Sequence, residues 1–79
     1  APLDPLALFF ERALEGVIAG MIGTPGLPDR LASDAQALGL GQVLSANDAW
    51  RDGGGAKAAL QLAYVLHAGR DLIRGSDRA

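Results

Sequence analysis

Two amphipathic runs, Asp4 to Ile22 and Ala56 to Arg74, are separated by a middle segment that no long regular element can cross. Gly23, Pro25, Gly26, Pro28, Gly39, Gly41 and the triplet Gly53-Gly54-Gly55 punctuate that middle, and each is a residue that ends helices or turns chains. Alternation of polar and apolar residues never lasts more than a few positions, and β-branched residues are scarce, so strands are not expected. The layout predicts an all-α fold. It is a small helical bundle of two long, roughly antiparallel helices with one or two short helices between them.

Seventy-nine residues make a single helical domain over 1–79. The boundaries read as a helix at about 5–22, short helices at about 28–38 and 42–52, a glycine hinge at 53–55 and a helix at about 56–74. Asp4 is suited to cap the first helix and Pro5 to occupy its first position. Leu6, Phe9, Phe10, Ala13, Leu14, Val17 and Met21 then recur at steps of three and four, with Glu11, Arg12 and Glu15 on the other side. Gly23, Thr24 and Pro25 stop this helix. Leu31, Ala35 and Leu38 form the expected buried line of the second helix, and Gly39 its end. Val43, Leu44, Ala46 and Trp50 suit a third helix, although Ser45 and Asp48 fit a cap instead, with extended chain before it. In the last helix Ala58, Leu62, Val65, Leu66, Gly69, Leu72 and Ile73 gather on one side. Arg70 and Arg74 lie where cations complement the helix dipole, and residues 76–79 are expected to fray.

Composition excludes several classes. A formal charge of −2 offers no basic field for phosphates, so nucleic-acid binding is not expected. With no cysteine there is no disulfide, thiolate metal site or cysteine nucleophile. Charges within both long runs argue against a membrane span. The first residues lack the basic start of a secretory signal, and Ala1 fits either loss of an initiator Met or a cleaved mature terminus; the cytoplasm is the expected compartment by default. Six Arg against one Lys, with abundant Ala, Gly and Leu, points to a GC-rich bacterial gene.

Motifs with chemistry are few. His67 and Asp71 stand four apart on one helix with Tyr64 close by, the only arrangement here that resembles a general base with a neighbour. Glu11, Glu15, His67 and Asp71 lack the Glu-x-x-His spacing of helical metal sites, so neither a metal nor a cofactor is expected. Asp48 to Gly53 lacks the remaining ligands of a calcium loop, and the glycine triplet lacks phosphate-loop spacing. Ala35 to Leu40 matches half of a helix-turn-helix, but the second half has polar residues where apolar anchors belong.

What remains is surplus apolar surface: 49% of the residues are hydrophobic, high for so small a soluble domain. Leu60 and Tyr64 lie off the main stripe of the last helix, beside His67 and Asp71, and Trp50 stands before the hinge as a lid or an anchor. Gly16 and Gly20 permit close helix approach. The expected function is therefore a non-catalytic protein-interaction or adaptor module. Its partner is itself, as a homodimer or larger homo-oligomer, or another protein, through Leu60, Tyr64, His67, Asp71 and Trp50. The alternative is a small helical ligand-binding or regulatory domain with a pocket between the long helices. An enzyme using Tyr64, His67 and Asp71 ranks third.

Overall fold

A computed structural model of the chain describes the backbone of residues 5–23 and 26–78, and side chains as far as residue 73. The expected Asp4 cap, the Thr24-Pro25 stop, the Arg74 side chain and residues 1 and 79 lie outside the described residues. Among the described residues the regular structure is all helical. Helix α1 spans Pro5–Ile22, α2 Asp29–Ala37, α3 Gly41–Ala49 and α4 Gly55–Arg78, with a wide kinked turn, Trp50–Gly54, joining α3 to α4. Helix α4 runs past its expected end near residue 74.

The stripe on α1 buries Phe9, Phe10, Ala13, Leu14 and Val17. It meets Ala58, Ala59, Leu62 and Leu66 of α4, with Val65 and Ile73 packed against the same core. Leu27, Ala35, Val43, Ala46 and Trp50 complete that core. Three expected core positions differ. Met21 is 50% exposed, Leu38 40% and Leu72 74%: Met21 and Leu38 lie at helix ends, whereas Leu72 stands at the edge of a stripe whose next residue, Ile73, packs against the core.

The short elements are fixed by local chemistry. Helix α2 closes with paired bonds: Leu40 N–H donates to the Ala35 carbonyl at 2.9 Å and Gly39 N–H to that of Gln36 at 3.1 Å. Ser45 lies inside α3, which begins at Gly41, so it caps nothing. Asn47, polar and only 1% exposed, is the buried residue the periodicity misses. Its Oδ1 accepts the Leu27 N–H at 2.7 Å, which ties the α1–α2 connection to α3.

The glycine triplet makes the kink. Gly53 (φ 99°) and Gly55 (φ 66°) adopt backbone conformations that cost a side-chain-bearing residue energy. At Gly54 a Cβ would stand 2.7 Å from the Ala49 carbonyl oxygen. The chain thus turns from α3 into α4 within a few residues, and α3 packs back on α4. Helix α2 touches α1 and α3 but not α4, which leaves the flank of α4 beside α1 open. Among the described residues, no helix is long and apolar enough to cross a membrane.

Candidate functional site

Most of the exposed large apolar side chains lie on the two long helices. From α1 come Ile18 (63% exposed), Met21 and Ile22 (89%); from α4 come Leu60 (64%) and Tyr64 (70%). Their positions follow from the stripes: Val17 and Leu62 point inward with no exposure, and Ile18 and Leu60 sit around the helix from them. Sequence spacing also allowed the Leu31–Leu38 helix to cover Leu60 and Tyr64. It does not, since α2 makes no contact with α4.

This flank has two ends of different chemistry. At one end, a groove of about 440 Å³ runs between the end of α1 and the start of α4, walled by Gly20, Met21, Trp50, Ala56, Ala59 and Leu60. At the other, a smaller groove of about 250 Å³ passes Ile18 and Ala63 to reach Glu11 and Glu15 on α1 and His67 and Arg70 on α4. The acids therefore sit on one helix and the basic side chains on the facing one.

The structure distributes the remaining candidate residues as follows. His67 and Asp71 are both exposed, but the imidazole is bonded to Arg70, whose guanidinium lies 3.0 Å from Nδ1. Guanidinium nitrogens only donate, so Nδ1 is the acceptor. A carboxylate-oriented general base needs the reverse, an Nδ1–H held by an acid. The expected His67–Asp71 pairing is thus replaced by His67–Arg70. Among the described residues, no group of three or more His, Asp or Glu side chains is placed to hold a metal ion.

Trp50 stands apart from Leu60 and Tyr64: it is 4% exposed, and its ring packs on Gly20 while its edge lines the floor of the apolar groove. Gly16 and Gly20 both face inward within the chain. A Cβ on Gly16 would lie 3.3 Å from Leu31, and one on Gly20 would lie 2.8 Å from Trp50. Their small size is used in internal packing, and Gly20 also walls the apolar groove of the open flank. Sequence reasoning singled out Leu60, Tyr64 and His67 but missed the α1 half, Ile18 and Ile22. Those two residues belong to the same apolar-rich run as the core stripe, and periodicity alone does not separate them from it. No known family model matches this chain, and no curated protein or solved structure is significantly similar to it.

Proposed function

We propose that this chain is a non-catalytic helical interaction module that self-associates through the open flank of α1 and α4. The observation that carries the reading is the joint exposure of Ile18, Met21, Ile22, Leu60 and Tyr64 on two neighbouring helices. Apolar side chains scattered singly over a surface need no explanation, but Met21 and Leu60 wall one apolar groove between the helices, and an exposed apolar patch of that kind favours an interaction surface. The absence of an acid-oriented histidine removes the main support for catalysis. In this reading α1 and α4 run antiparallel. Phe10 near the start of α1 meets Gly69 near the end of α4, and Met21 shares a groove with Ala56 and Ala59 near its start. We place the module in a bacterial cytoplasm, on its Arg-rich, cysteine-free composition, without a role in nucleic-acid binding.

The test is sedimentation at micromolar concentration, with thermal unfolding as a control. Wild type is expected to sediment above the mass of one chain. Leu60→Ser combined with Tyr64→Ser is expected to be monomeric with little change in melting temperature. A monomeric wild type removes self-association, and collapse of the fold in the double variant would make these residues core. A second reading, a small apolar ligand seated between the long helices, draws on the Gly- and Ala-walled groove, whose volume lies in the range of small-molecule sites.

A further inference from the structure

We infer that the flank pairs with a second copy of this chain about a two-fold axis parallel to α1 and α4, so that α1 of each copy lies on α4 of the other. The inference rests on the self-association reading above and specifies its geometry. It comes from the way charge and apolarity are laid out on the flank.

Along the helices the flank is apolar at one end and charged at the other. Met21 shares the apolar groove with Ala56 and Leu60, whereas Glu11 and Glu15 share the other with Ile18, His67 and Arg70. Across the helices the charges divide by sign, with the carboxylates on α1 and the basic groups on α4. A two-fold interface sets the same patch against itself, and the direction of the axis decides what meets what. An axis perpendicular to the helices exchanges the two ends. It lays Glu11 and Glu15 on the apolar end of the other copy, where carboxylates lose water and gain no partner. An axis parallel to the helices keeps the ends in register and exchanges the sides. Met21 then meets Leu60 of the second copy, and Glu15 meets its His67 and Arg70. Only the parallel axis satisfies both halves of the flank.

The outcome is a four-helix arrangement in which each α1 lies between two α4 helices of opposite direction, so neighbouring helix dipoles oppose. Gly16 takes no part, because it faces Leu31 and Pro28 within the chain.

A charge exchange between chains tests the geometry. Glu15→Lys and Arg70→Glu are made separately in the 79-residue chain, with His67→Glu as a second acid-introducing variant should Arg70→Glu melt at low temperature. Each variant alone is expected to weaken self-association by about tenfold or more, because like charges then face each other. Mixing Glu15→Lys with Arg70→Glu is expected to restore a dimer containing one of each, since lysine then faces glutamate across the interface. If wild type associates and Leu60→Ser with Tyr64→Ser breaks it, but the mixture stays monomeric, the parallel-axis geometry is overturned and the self-association reading stands. Single variants that associate like wild type also overturn it. A wild type that is monomeric across the micromolar range overturns both. If that monomer also binds an apolar dye that Ala56→Phe excludes, the face belongs to a small ligand.

Discussion

The ring of Trp50 occupies the space a side chain on Gly20 would need: a Cβ built there would stand 2.8 Å from Cη2. Helix α1 is thereby held against the turn that launches α4. A glycine inside a helix costs about 1 kcal/mol relative to alanine, and here the close approach of an indole gives the compensation.

Gly20→Ala should therefore destabilise the chain despite its better helix propensity. Overpacking against a rigid ring costs about 1–3 kcal/mol, enough to outweigh the gain in propensity. Gly16→Ala is the control, since the added methyl meets the flexible end of Leu31 at 3.3 Å. Denaturant unfolding should rank Gly16→Ala above Gly20→Ala in stability. The reverse order would show that Trp50 does not rest on α1.

Leu66→Ala should cost about 2–5 kcal/mol, because Leu66 has no exposure and its loss leaves a cavity between α1 and α4. On a domain with marginal stability such a loss approaches complete unfolding. Leu72→Ala, at a position 74% exposed, should change stability by about 0.5 kcal/mol or less. A thermal melt of both variants separates the inner and outer sides of α4. Equal effects would contradict the burial pattern.

These two leucines also mark what periodicity can reveal. Steps of three and four placed Leu66 and Leu72 on the same side of α4, and for Leu66 that suffices. Spacing defines a direction around a helix, but neither how wide the buried sector is nor how far along a neighbour extends: Leu72 stands about 120° around α4 from Leu66, and Met21 lies near the end of α1. Leu60 and Tyr64 were legible for the opposite reason: they break the stripe. Asn47 was hidden because a pattern of apolar residues assigns an amide to solvent. Its burial depends on the Leu27 N–H, 20 residues away. The His67–Arg70 contact was equally hidden, since positions three and four residues away compete for the same ring.

Asn47→Ala should leave the Leu27 N–H buried without an acceptor and cost about 1–3 kcal/mol. The bond is local to the α1–α2 connection, so hydrogen exchange at the Leu27 amide should accelerate more than exchange at the centre of α1. Uniform acceleration across the chain would indicate that Asn47 supports the whole core and not this connection.

Gly69 and Phe10 form the second close approach, at the far end of the α1–α4 contact. A Cβ on Gly69 would lie 2.5 Å from Cζ of Phe10. The ring is confined on its other side by Phe9, whose ring meets it edge-on at a centroid distance of 5.5 Å. Because Phe10 is 4% exposed and held between α4 and Phe9, Gly69→Ala should cost about 1–3 kcal/mol through overpacking. Phe10→Leu removes the ring atoms that the new methyl would strike, at its own cost in lost packing. The two substitutions should therefore be non-additive, with the double variant more stable than the sum of the singles implies by about 0.5 kcal/mol or more. A double-mutant cycle by urea unfolding measures this directly. Strict additivity would mean that α1 and α4 do not meet at these residues, and the proposed antiparallel pairing of the long helices would lose its anchor at this end.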